Sequence, residues 1–201
     1  MDCVFCEEFE TGELKFRNLR IKRILYESQN FVVFPSLGQI VEGYLLIAPK
    51  RHYLSIAQIP NSLYFELTEV QEKVRDILTK NYCSPIFFEH GPISESKNVR
   101  CCVDHAHLHA VPTSISILED LIKHFKYKEV NNFTELPSDV SYLFLEEKKK
   151  KYVFPINTIL PSQYLRQILA MKTCCSEKWD WRICPGIEEL KNTIKKLKKN
   201  L

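Results

Sequence analysis

Val103-Asp104-His105-Ala106-His107-Leu108-His109-Ala110-Val111-Pro112 holds three of the six histidines of the chain at every second position. Read as a strand, it projects His105, His107 and His109 from one face, spaced roughly 7 Å apart, and Ala106, Leu108 and Ala110 from the other. A helix would bring His105 near His109 and turn His107 away. The β-branched valines, the alternation and the closing Pro112 favour the strand.

Around this stretch lie 201 residues, 45% hydrophobic and 26% charged, an ordinary globular composition long enough to bury a core. A formal net charge of +3 gives no overall pull toward nucleic acid or a membrane surface. No apolar run reaches the roughly 18 residues of a membrane span. The start, Met1-Asp2-Cys3-Val4-Phe5-Cys6-Glu7-Glu8, is acidic where a signal or transit peptide is basic, which predicts a cytoplasmic protein. The eight cysteines fall as Cys3-x-x-Cys6, the neighbours Cys101-Cys102 and Cys174-Cys175, and the single Cys83 and Cys184. Reduced thiols or a metal site fit this arrangement better than a disulfide framework.

Upstream, Glu7 to Glu13 reads as turn and loop, and Arg20 to Glu27, Phe31 to Phe34 and Gly43 to Ala48 as strands. Leu63, Leu67, Val70, Val74, Ile77 and Leu78 then recur at helical spacing behind a cap at Asn61 or Ser62. Pro85 to His90 is a strand, Gly91 to Arg100 a polar loop, and Cys101 to Pro112 the histidine strand. This order predicts an α+β fold, an antiparallel β-meander packed with one long helix.

Tyr26-Glu27 to Phe34, Gly43 to His52, Glu89-His90-Gly91-Pro92 and His105-x-His107-x-His109-Ala110-Val111-Pro112 together resemble the histidine triad superfamily. The resemblance covers residues 1–114, and residues 115–201 form an extension packed on that unit. A neutral imidazole attacks phosphorus well and leaves well afterward, so a fixed histidine can split nucleotidyl transfer into two easier steps. For His107 to attack through one nitrogen, the other should donate to an acceptor, expected to be a backbone carbonyl. His109, on the same face, can bond a phosphate oxygen or the leaving group. The resemblance implies the same catalytic pair, His107 and His109. Family members that act as transferases or phosphorylases carry glutamine at the last position, so His109 favours hydrolysis. It also implies a homodimer.

Cys3, Cys6, His52 and His105 resemble the ligand set of zinc-bearing family members. Two thiolates and two imidazoles make a closed, structural tetrahedral site. Departures from the family pattern are equally informative. Where many members hold ribose hydroxyls with an aspartate, this chain has Phe34-Pro35-Ser36-Leu37-Gly38, leaving Ser36 as the candidate contact, and Cys101-Cys102 stand where relatives carry a polar residue near phosphate. Glu89, His90 and Arg100 are further candidate substrate contacts.

In the extension, Ile115 to Phe125 reads as a helix, and Tyr142 to Leu145 and Tyr152 to Pro155 as a hairpin whose tip is the charged run Glu146 to Lys151. That run is a solvated turn more readily than a nucleic-acid contact. Helices are expected from Ser162 through Ala170 and from Ile187 to Leu201, with Trp179-Asp180-Trp181-Arg182 between them and the tryptophans in the core. This arrangement resembles larger family members, making Gln163, Arg166 and Arg182 candidate phosphate or sugar contacts; salt-bridged surface arginines are the alternative. The sequence therefore predicts a hydrolase of a nucleotide phosphoanhydride, phosphoester or phosphoramidate bond. A nucleotidyltransferase or dinucleoside polyphosphate phosphorylase, and a non-catalytic nucleotide- or RNA-binding module, are the alternatives.

Overall fold

The computed structural model describes residues 3–92 and 103–199. Strands β1 (Leu14–Phe16) and β2 (Leu19–Ile21) form a small hairpin after helix α1 (Val4–Thr11). The main sheet uses β3 (Tyr26–Glu27), β4 (Phe31–Pro35), β5 (Leu45–Pro49), β6 (Pro85–Gly91), β7 (Leu108–Pro112), β8 (Lys128–Val130), β9 (Tyr142–Glu147) and β10 (Lys150–Pro155). Its eight described strands run in the order β3-β4-β5-β7-β6-β9-β10-β8, with every pairing antiparallel. The remaining helices are α2 (Tyr64–Asn81), α3 (Leu118–Ile122), α4 (Tyr164–Lys172) and α5 (Ile187–Leu197). The expected mixture of antiparallel sheet and one long helix is therefore present.

All of β4, β5 and β7 is buried, because both faces of the sheet are covered. Leu67, Val70, Val74 and Leu78 of α2 pack against Phe31, Val33, Ile47, Phe87 and Leu108 on one face. Phe5 of α1 and Leu165, Ile168 and Leu169 of α4 pack with Phe34, Leu46, Phe88 and Leu143 on the other. Strand β7 lies between β5 and β6, so His109 is flanked by Leu46 and Phe88. The segment after residue 114 enters this sheet, with β9 pairing along the outer edge of β6. Among the described residues no helix is long and apolar enough to cross a membrane.

Several boundaries differ from the sequence reading, each for a physical reason. Glu7 to Thr11 is helix and not loop: Phe5 and Glu8 turn inward one helical turn apart, and Gly12 closes the helix with φ 71°, its N–H bonding Glu8 O at 2.8 Å. The expected strand from Arg20 to Glu27 is split between β2 and β3, because Arg23 turns inward between them to meet Glu8. The hairpin strands run through Glu146 and Glu147, which are buried by ion pairing and hydrogen bonding, and only Lys148 and Lys149 make the turn, both at positive φ. Helix α3 is shorter than Ile115 to Phe125, its first turn held by Glu147 accepting from Ile117 and Leu118 N–H. Strand β7 begins at Leu108, so His105 and His107 stand just before it. Arg100, Cys101, Cys102 and the last residues of the expected terminal helix lie outside the described residues.

Candidate active site and metal centre

His107 Nδ1 lies 2.6 Å from the carbonyl oxygen of His105. A carbonyl can only accept, so Nδ1 carries the proton and Nε2 keeps its lone pair. His109 Nδ1 lies 2.6 Å from the Tyr44 hydroxyl, and its ring stacks on Phe88 with centroids 4.5 Å apart and 17° between planes. With the hydroxyl donating, His109 has its N–H at Nε2. The His107 and His109 ring centroids are 4.6 Å apart.

Burial pushes His107 below the ordinary histidine range, against the bond to His105 and helped by the Arg166 charge. His109 is driven well down, by burial first and then by His107, Arg166 and His90. Burial, with the His107 charge adding, brings His90 to about 4. The rings are therefore neutral near pH 7, the form in which an imidazole nitrogen is a nucleophile. Burial also pushes the Tyr44 hydroxyl up to about 12, keeping its proton.

These histidines line a cavity of about 970 Å³ counting its mouth. Its walls include Phe5, Phe16, Leu37, Leu46, Phe88 and Trp181, so a few polar groups converge within apolar surroundings, the usual composition of a small-ligand site. Arg23, which also lines it, is locked by Glu8 at 2.7 Å through both Nε and Nη2 and donates to Pro35 O at 2.6 Å.

Cys3, Cys6, His52 and His105 each offer one donor atom, all within 4.8 Å of one another. Cys3 Sγ is 3.3 Å and Cys6 Sγ 3.6 Å from His105 Nδ1, while Cys6 Sγ is 3.5 Å from His52 Nδ1. His105 Nε2 donates to Pro49 O at 2.8 Å, which leaves the Nδ1 lone pair facing the two sulfurs. Burial, reinforced by Cys3, raises the Cys6 thiol to about 11, so ligation would release its proton. The donor set and its spacing are compatible with tetrahedral zinc.

The other sequence candidates fall at different places. Ser36, His90, Gln163 and Arg166 line the cavity with His107 and His109. Glu89 does not: neighbours on a strand face opposite ways, and Glu89 turns under α2, accepting from Ile56 N–H at 2.7 Å and meeting the Tyr142 hydroxyl. Arg182 grips Asp180 with Nε and Nη2, both at 2.8 Å, and is not among the cavity-lining residues. Trp181 is cavity wall, where the sequence reading assigned core. Sequence reasoning missed Tyr44 and Phe88 as the groups holding His109. Both stand in strands that it did assign, and the register between those strands was the missing signal.

Residues 15–124 match the family model described as scavenger mRNA decapping enzyme C-term binding, which covers more than half of the chain. The chain belongs to that family, and with it to the histidine triad superfamily. The nitrilase and fragile histidine triad fusion protein NitFhit of Caenorhabditis elegans is 28% identical over 105 residues, 51% of this chain and 23% of that protein. The chain thus spans about a quarter of that relative's length. Among solved structures, a zinc-bound histidine triad family protein from Mycobacterium smegmatis aligns at 20% identity with a TM-score of 0.44, over 59% of this chain and 79% of that one. A hypothetical histidine triad nucleotide-binding protein from Sulfolobus tokodaii aligns at 14% identity with a TM-score of 0.42, over 99% and 96%.

Proposed function

We propose that this chain is a histidine triad hydrolase that cleaves a nucleotide phosphoanhydride, phosphoester or phosphoramidate bond through a nucleotidyl-His107 intermediate. The observation that carries this reading is the bond from His107 Nδ1 to the His105 carbonyl, which leaves Nε2 with its lone pair in a residue lining the cavity. In the first step Nε2 forms a bond to phosphorus, and the leaving group departs with the bonding electron pair and takes a proton from solvent. Nδ1–H keeps donating to the His105 carbonyl, whose dipole offsets the positive charge on the imidazole. Water then attacks the same phosphorus and gives up a proton to solvent, the electron pair of the breaking N–P bond returns to His107 Nε2, and a nucleoside monophosphate is released. His109 Nε2–H donates to a phosphate oxygen, and Ser36, His90 and Gln163 are wall contacts to the nucleotide.

Zinc at Cys3, Cys6, His52 and His105 would supply a structural tie between α1 and the segment leading into β7, not an activated water. Metal analysis of Cys3→Ser and Cys6→Ser chains tests this: reduced zinc content is expected, and unchanged content would remove the site. The reading carries with it a cytoplasmic homodimer, the latter tested by light scattering.

The hydrolase reading is tested by product chromatography of wild type and His107→Ala against adenosine 5′-phosphoramidate, dinucleoside polyphosphates and a cap dinucleotide. Wild type is expected to release a nucleoside monophosphate from at least one, and His107→Ala from none. Product transferred to added phosphate in place of water would move the assignment to a phosphorylase.

A further inference from the structure

Tyr44 immediately precedes β5 and is fully buried, and residues of the C-terminal segment hold both its backbone and its ring. Gln39 Oε1 accepts from Tyr44 N–H at 3.2 Å, and Gln39 Nε2 donates to Tyr44 O and Ser36 O, both at 2.8 Å. Thr193 of α5 braces that amide. Its hydroxyl donates to Gln39 Oε1 at 2.9 Å and accepts from Gly43 N–H at 2.9 Å. Two donors on Oε1 fix the orientation of the Gln39 amide, and with it the backbone that carries Tyr44. On the ring side, the Arg166 guanidinium of α4 lies 5.1 Å from the Tyr44 centroid. The His109 ring is stacked on Phe88 and meets the Tyr44 ring edge-on, with centroids 5.6 Å apart. Two aromatic neighbours therefore set the imidazole plane, and the placement of its single proton is what remains to be decided.

A hydroxyl also has one proton to place. The guanidinium has donors only, and its charge and hydrogen bonding favour the tyrosine oxygen, against the burial that raises the hydroxyl pKa to about 12. A cation on that side attracts the oxygen and repels the proton, so the proton turns to His109 Nδ1, 2.6 Å away. We propose that Tyr44 is a positioning residue of the reaction: its hydroxyl holds His109 in the Nε2–H form, a neutral donor that takes no part in proton transfer. This rests on the hydrolase reading of the same cavity and deepens it. A donor fixed before the substrate arrives needs no reorganisation as charge builds on the phosphoryl oxygens. Thr193, through Gln39 and then Tyr44, gives the C-terminal segment a part in the chemistry at one remove.

Long-range proton–nitrogen NMR of the isotope-labelled chain, with His109→Gln identifying the resonance, reads the tautomer directly. Wild type is expected to carry the His109 proton on Nε2, and Tyr44→Phe to divide it between the two nitrogens. A proton on Nδ1 in wild type, or a tautomer unchanged in Tyr44→Phe, would overturn the proposal and leave the hydrolase reading standing. Kinetics then separates positioning from packing. On the nucleotide that the product assay identifies as substrate, Tyr44→Phe should lower kcat roughly tenfold, the worth of one hydrogen bond in the transition state, and leave KM nearly unchanged. In a His109→Gln background, where the amide presents a donor without tautomers, the same substitution should change kcat by under about twofold. Equal losses in the two backgrounds would make Tyr44 a packing residue and refute the proposal. No turnover by wild type would overturn the hydrolase reading, whereas the NMR result still decides whether Tyr44 sets the tautomer.

Discussion

Glu89 is a carboxyl group stored under α2, 2% exposed, with Ile56 N–H and the Tyr142 hydroxyl as its partners. Burial raises it from 4.5 to about 8, against the opposing bonds from Tyr142 and Ile56. Between those values the folded chain holds a proton that the unfolded chain has released, so the contribution of Glu89 to stability falls as pH rises across that window; below the ordinary histidine value of 6.5 the buried neutral histidines contribute with the opposite sign, and above it the Glu89 slope stands alone until it levels off above about 8. The slope is on the order of 1.4 kcal/mol per pH unit. Glu89→Gln keeps an acceptor for Ile56 and should flatten the slope, measured as urea midpoints between about pH 6.5 and about pH 8, above the range in which the histidines contribute; an unchanged slope there would show that Glu89 is not the titrating group. The sequence placed Glu89 beside substrate because it adjoins His90. Strict alternation along β6 separates the two, whereas the partner Tyr142, 53 residues away, was not legible. Gly38 is a second residue whose role appears only in three dimensions. It has φ +65°, and a Cβ there would meet Arg166 Nη2 at 2.6 Å and Trp181 Cβ at 2.7 Å. Gly38→Ala should therefore displace the guanidinium and Trp181 and lower the thermal midpoint, and an unchanged midpoint would show that the close approach is relieved at no cost.

At the scale of elements, α1 is fastened at two points. Glu8 pairs with Arg23 in the interior, the two side chains being 1% and 2% exposed, and Cys3 and Cys6 meet His52 and His105. Removing one member of a buried pair leaves the other charge stranded, at about 3–5 kcal/mol. Glu8→Ala should thus lower the thermal midpoint by roughly 6–20 °C for a chain of this size, where a solvated glutamate would cost almost nothing. Chelator treatment of metal-loaded protein should lower the midpoint as well, and Cys3→Ser should no longer respond to chelator. The four metal-ligand candidates were legible because Cys-x-x-Cys and the alternating histidines are distinctive types at distinctive spacing. The helix that begins just after Cys3 and carries Cys6 was not, since Glu7-Glu8-Phe9-Glu10 reads as a polar turn until Arg23 is seen to reach Glu8. The long helix α2 was legible because its apolar stripe is repeated over many turns.

Over the whole molecule, the sheet does not stop where the triad strand ends. β9 continues it along β6, Glu146 of β9 pairs with Arg75 of α2, and Arg166 of α4 reaches the cavity. A fragment of residues 1–114 would expose the edge of β6 and take from Arg75 its buried partner Glu146, leaving it only the half-exposed Glu72. It should elute as larger aggregates and lose cooperative unfolding; a monomeric, cooperatively unfolding fragment would establish residues 1–114 as an independent unit. The triad and the antiparallel class with its long helix were legible from local pattern, while the insertion of β7 between β5 and β6 and the joining of the two segments depend on long-range strand pairing that local pattern does not encode. The central claim, attack by His107, is tested most directly by intact-protein mass spectrometry of acid-sparing quenched mixtures of chain and nucleotide substrate. The account predicts a transient mass increase of one nucleotidyl group in wild type, mapped to the peptide containing His107 and absent from His107→Ala. Turnover that persists in His107→Ala, or a covalent adduct on another residue, would contradict it.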